Sequence, residues 1–98
     1  MIPTLRKVVA ESSSPRAKAA AIQALGAFND FESMPVMLAA MDDADPLVRG
    51  RAGVATATII GADYLFRAED PLPKRKAIIS YVRKSYEKMK NKDMKNKG

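Results

Sequence analysis

Residues 34–55 read Met34-Pro35-Val36-Met37-Leu38-Ala39-Ala40-Met41-Asp42-Asp43-Ala44-Asp45-Pro46-Leu47-Val48-Arg49-Gly50-Arg51-Ala52-Gly53-Val54-Ala55. Two helical patterns meet here across an acidic turn. Met34, Met37, Leu38 and Met41 recur at the spacing of one helix face, and Val48, Ala52, Ala55 and Ile59 do so after the turn. Asp45-Pro46 marks the restart. The aspartate oxygen takes up an orphan backbone N–H, and proline has no N–H to leave unpaired in the first turn.

The same pattern occurs earlier in the chain. With Pro15 placed over Pro46, Ala17 falls on Val48, Lys18 on Arg49, Ala21 on Ala52 and Ala24 on Ala55. Both copies read cap, proline, any residue, apolar, basic, then alanine at every third position. The preceding stretches correspond too, Ile2-Pro3-Thr4-Leu5 matching Met34-Pro35-Val36-Met37-Leu38 with one residue of slippage. Each unit is a pair of helices, and a single unit cannot bury its own apolar face.

These start and stop signals predict five helices, over about 2–11, 15–28, 33–41, 46–60 and 73–90. Ser14-Pro15, Met34-Pro35, Asp45-Pro46 and Asp70-Pro71 open them, and Gly26, Asn29 and Gly61 close them. In the second helix Ala17, Ala21, Ala24, Leu25 and Phe28 are expected on the buried face. In the fifth, Ile78, Tyr81, Val82, Ser85, Tyr86 and Met89 are expected on it. Short joints favour antiparallel neighbours. No strand-like alternation of useful length occurs, and the aromatic-poor, alanine-rich composition suits closely packed helices.

The stretch from Met34 to Ala55 resembles the short HEAT repeat, of the kind also found in phycobilisome-lyase-type proteins: apolar-Pro-x-Leu, an acidic turn, then Asp-Pro-x-Val-Arg-x-x-Ala. Ile2 to Gly26 resembles it more loosely, with Ser14 for the turn aspartate and Ala17 for valine. Gly61-Ala62-Asp63-Tyr64-Leu65-Phe66 and Asp70-Pro71 resemble the terminal capping segment of bacterial HEAT proteins. The resemblance implies an all-α, short right-handed solenoid of about two helix-pair repeats plus a C-terminal capping helix. It covers residues 2–88 and says nothing of the lysine-rich end; residues 1–90 are expected to form the repeat domain and 91–98 a basic, disordered tail.

Composition narrows the function. The 98 residues contain no Cys and no His, which removes disulfides, thiolate or imidazole metal ligation, and Ser-His-Asp or Cys-His catalysis. No phosphate-cradling glycine loop occurs, since Gly50 and Gly53 fall within a helical pattern with no strand before them. Asp42, Asp43 and Asp45 fail the calcium-loop spacing, because Leu47 and Gly53 stand where a glycine and a bidentate glutamate are needed. They read instead as turn and cap residues. Neither a metal nor a cofactor is expected, and the chain reads as non-catalytic. The longest near-apolar run, Ala52 to Ala62, is about half the roughly 20 residues a membrane span requires, and the N-terminus lacks a signal-peptide pattern. A cytoplasmic protein is expected.

What remains is binding. The resemblance implies that the second helices of successive repeats form an inner, concave wall. On it the exposed positions are expected to be Lys18, Gln23, Arg49, Arg51, Val54 and Thr58, a surface for a protein partner. For Arg49 there is a competing structural reading, in which it reaches the acidic turn or carbonyls of the neighbouring repeat. Two repeats and a cap make a small wall, consistent with a place in a larger assembly or longer array, and the outer face of the first helix would suit a second copy. The alternative is polyanion binding. Residues 1–70 carry a net charge of −2 and residues 71–98 a net +8. Lys84, Lys88, Lys90 and Lys92 are the candidate contacts to nucleic-acid phosphate.

Overall fold

The structure, a computed structural model, describes residues 1–62, 64 and 66–97, with side chains through residue 92. The described residues form five α-helices: α1 (Ile2–Glu11), α2 (Pro15–Ala27), α3 (Met34–Ala40), α4 (Pro46–Ile60) and α5 (Leu72–Lys97), with a 3-10 turn at Phe31–Ser33 leading into α3. Each α-helix carries a proline at its first or second position. Ser14 caps α2, its Oγ accepting from the Ala17 N–H at 3.2 Å. Asp45 caps α4, its Oδ1 accepting from the Leu47 N–H at 2.8 Å.

The ends of α2 and α4 also match. Asn29 has φ of 53°. The Asp30 N–H bonds the Leu25 carbonyl at 3.2 Å, and the Asn29 N–H bonds that of Gly26 at 3.0 Å. Gly61 has φ of 67°, with the Ala62 N–H on Ala57 O at 3.1 Å and the Gly61 N–H on Thr58 O at 3.3 Å. Both are Schellman closures, which need a residue tolerant of the left-handed region at that point.

α1 packs on α2 and α3 on α4, giving two hairpins, and α2 lies along α4 in the largest helix–helix contact of the fold. Pro15 and Pro46 line one depression, and Ala27 and Thr58 line another. The two helices therefore run side by side in the same direction, as stacked repeats require. The core gathers Val9, Ile22, Leu25, Met34, Met37, Leu38, Met41, Val48, Ala52, Ala55, Ile59, Ile79 and Val82. Met34, Met37 and Met41 are fully buried, each contributing about 1.5–3 kcal/mol of hydrophobic stabilisation. They fill gaps between hairpins rather than lining a surface.

Two expected faces need correction. Ala17 and Phe28 are exposed, Phe28 by 52%, whereas Ala19, Ile22 and Gly26 are buried with Ala21 and Leu25. α2 is gripped between α1 and α4, so it buries a wide arc rather than one stripe. On α5, Tyr81 and Met89 are exposed and Ile79 is buried. Among the described side chains, the packed ones of this helix end at Tyr86. The last helix also continues to Lys97 instead of stopping near residue 90. Residues 91–97 contain neither proline nor glycine, so nothing local stops it. Asp63 and Leu65 of the expected capping motif, and Gly98 of the expected tail, lie outside the described residues.

Candidate interaction groove

α2 and α4 approach most closely where Gly26 meets Ala55. A Cβ built on Gly26 would lie 3.0 Å from the Ala55 Cβ and 3.3 Å from its Cα. The missing side chain lets the helices touch backbone to backbone and opens a shallow groove of about 260 Å³ along the seam. Gln23, Gly26 and Ala27 form one wall. Arg51, Val54, Ala55 and Thr58 form the other. Gln23 and Val54 occupy equivalent repeat positions, as do Ala27 and Thr58, so the groove lies between like faces of adjacent units.

Four of the six expected surface residues thus come together: Gln23, Arg51, Val54 and Thr58. Val54 is 68% exposed, large for an apolar side chain on a small protein. Among the described residues no hydrogen bond occupies the Gln23 amide or the Arg51 guanidinium. The Thr58 hydroxyl donates to the Val54 carbonyl at 3.0 Å, so that donor is already used within the helix. Val54 and Thr58 also border a second depression of about 320 Å³, lined by Gly53, Ala57, Ala62, Tyr64 and Phe66.

Lys18 and Arg49 do not join this surface. Both are partly buried and act as staples to the next unit. Lys18 Nζ reaches Asp43 Oδ2 at 3.1 Å, in the turn between α3 and α4. Arg49 spans the turn behind and the segment ahead. Its guanidinium donates to Asp43 O at 3.0 Å, Ala44 O at 3.1 Å and Ala68 O at 2.6 Å. The repeat-equivalent basic residue therefore bridges to the next segment of the chain in both units, and the structural reading of Arg49 is the one realised. A planar five-donor fork suits this better than an ammonium would.

The acidic turn is used up locally. Asp43 Oδ1 also accepts from the Asp45 N–H at 2.9 Å. Burial pushes the Asp43 carboxyl up, but that N–H and Lys18 outweigh it and hold the group below the usual carboxylate range. Asp42 pairs with Arg75 of α5 at 3.7 Å. Asp30 is held low chiefly by the Ser33 hydroxyl and then by Arg6, whose Nη2 lies 2.8 Å from it. This cluster ties α1 to the turn before α3.

The segment between α4 and α5 is fastened by side chains that sequence reasoning left unassigned. The Tyr64 hydroxyl lies 2.6 Å from Thr56 Oγ1 and 3.1 Å from the Gly53 carbonyl, and Thr56 donates to the Ala52 carbonyl at 2.8 Å. Phe66 sits over Gly53, where a Cβ would fall 2.5 Å from its ring. The glycine inside an alanine-rich helix was the visible signal, but its partner, 13 positions on in the sequence, was not.

The family model for HEAT repeats matches residues 2–83. The chain belongs to the HEAT-repeat family. Neither a curated protein nor a solved structure matches it significantly. HEAT repeats serve protein interaction and scaffolding and are typically non-catalytic. Among the described residues of this HEAT module, no helix is long and apolar enough to cross a membrane.

The four lysines considered for polyanion contact are placed on α5. Lys84, Lys88, Lys90 and Lys92 are all exposed, and no ion pair among the described residues involves them. Lys84, Lys88 and Lys92 share one face of α5 and Lys90 another, and none of the four lines the α2–α4 groove.

Proposed function

We propose that this HEAT module is a non-catalytic adaptor that holds a protein partner in the α2–α4 groove. The observation that carries the reading is the juxtaposition of exposed Val54 with Arg51 and Gln23 over a floor of Gly26 and Ala55. Apolar floor and convergent polar groups are the anatomy of a small recognition site. The groove's lining contains no carboxylate, so Arg51 sets its sign. The matching ligand is a protein segment that places a small apolar side chain on Val54 and Ala55 and an aspartate or glutamate against Arg51. Arginine is suited to that pairing because its fork takes a carboxylate bidentately.

Catalysis is disfavoured by the side chains available. The chain has neither Cys nor His, and the groove's polar groups are an amide, a guanidinium and a threonine already bonded to its own helix.

Selection of a displayed random peptide library on the full chain tests the reading. Enriched peptides should share a carboxylate beside a small apolar residue. Their binding should fall at least tenfold with Arg51→Glu and with Val54→Lys, while Lys7→Glu on α1 leaves it intact. Enrichment of peptides without a carboxylate, or binding indifferent to both groove variants, would refute it.

A further inference from the structure

We infer that α5 is a nucleic-acid-binding arm, a function separate from the groove. The helix is longer than its seat. Ile79 and Val82 are buried, Ile78 and Tyr86 are partly so, and the Tyr86 ring ends the contact against Phe31 at 5.1 Å between centroids. From Glu87 to Lys92 every side chain is exposed, and the helix continues to Lys97, about 16 Å past Tyr86 at 1.5 Å per residue. Packing does not account for the exposed stretch from Glu87 to Lys92.

Its charge is one-sided. From Leu72 to Lys92 the helix carries eight basic residues against one acidic residue, Glu87. Lys76, Arg83 and Lys90 recur every seven residues and form one row. Lys84, Lys88 and Lys92 recur every four and form a second, about 140° round the helix from the first at 3.6 residues per turn. Like charges at that spacing repel and oppose the helix, and an array of phosphates relieves the repulsion. Successive cations in the second row stand about 6 Å apart along the axis, dense enough to track a polynucleotide backbone. Tyr81, 53% exposed, lies three residues before Lys84 and seven before Lys88, on the flank of the same row.

The alternatives fit less well. A membrane-surface helix needs an apolar face to bury, and Met89 is the single apolar residue between Glu87 and Lys92. An acidic protein would supply charge but not the evenly repeated anions that the Lys84–Lys88–Lys92 row matches. Recognition of phosphate by lysine point charges carries no base preference.

Fluorescence anisotropy of the full chain with a short labelled duplex decides the matter. With about four phosphates neutralised, affinity should fall roughly 100-fold between about 50 and 200 mM salt. Lys84→Glu, Lys88→Glu and Lys92→Glu together should abolish binding, while Lys7→Glu leaves it unchanged. Circular dichroism shows whether the triple variant keeps its helices, and if it does not, the Lys→Gln triple replaces it and should flatten the salt dependence. No binding at low salt would overturn the inference. So would binding that survives the triple variant, or tighter binding to polyglutamate or phosphatidylserine vesicles than to the duplex.

Discussion

Gly26 and Ala55 form the closest approach of the two repeats, with 3.0 Å between the Ala55 Cβ and the position a Cβ on Gly26 would take. Valine has nearly the helix propensity of glycine, so a Gly26→Val change isolates the steric effect. The added atoms meet the α4 backbone, which cannot rotate aside. Stability should fall by about 2 kcal/mol, a midpoint drop of roughly 8–16 °C in a domain of this size. Gly26→Ala should cost less, and Ala55→Gly combined with it should recover part of that cost, since the pair moves the vacancy to the other helix. A double-mutant cycle by thermal unfolding measures the coupling, and strict additivity would show that the two residues do not touch.

At Gly53 the obstacle is a side chain instead. Alanine there gains about 1 kcal/mol of helix propensity but collides with Phe66. The expected sign depends on that ring. Gly53→Ala should destabilise the wild-type chain by about 1–2 kcal/mol. In a Phe66→Ala background the ring is gone and the residue-66 Cβ, at 3.2 Å, still crowds the new methyl, so the change should stabilise by less than about 1 kcal/mol. Denaturant unfolding of the four variants reads the reversal, and the same sign in both backgrounds would place the constraint elsewhere.

Arg49 holds three carbonyls on both sides of α4. Arg49→Ala should cost about 2 kcal/mol, because charge-assisted hydrogen bonds are lost and partly buried acceptors are left without partners. Arg49→Lys should restore less than half, since one ammonium cannot span Asp43, Ala44 and Ala68. Neither variant should change peptide binding at the groove once folded. A loss of binding with unchanged unfolding midpoint would make Arg49 a contact residue.

Among the described residues, two carboxylates govern the acid limb of stability. Asp30 and Asp43 both have folded-state pKa values below those of the unfolded chain. Their contribution is therefore complete above the unfolded value, near pH 4, and is lost as pH falls through the lower folded values. The unfolding midpoint should be flat from pH 7 to about 5 and decline below about 4. Asp30→Asn should lower the midpoint at neutral pH and make the acid decline shallower. An unchanged slope in that variant would mean that the Arg6–Asp30–Ser33 cluster carries no linkage.

The helices and their order were legible in the residues because their causes are local. Ser14 and Asp45 bond to N–H groups two or three positions ahead, proline restricts its own turn, and Asn29 and Gly61 tolerate the left-handed closure. The repeat told which helices are equivalent, and the third and fourth helices' buried residues followed from spacing. Four groove residues were legible as well, since exposure on a named face follows from helical phase.

Other features were not legible, because their causes lie far along the chain. Spacing puts Ala17 and Phe28 on the buried face of α2, but contact on two sides leaves them exposed and buries Ala19, Ile22 and Gly26 beside Ala21 and Leu25. Lys18 and Arg49 have the same phase as surface residues, and only the stacking of units brings Asp43 and the Ala68 carbonyl within their reach. Sequence alone determined that this protein is a pair of proline-capped helical hairpins, because hydrogen bonds between near neighbours dictate that much. Tertiary packing decided which basic residues became staples and which, like Arg51, remained facing water, because that choice depends on groups that folding alone brings together.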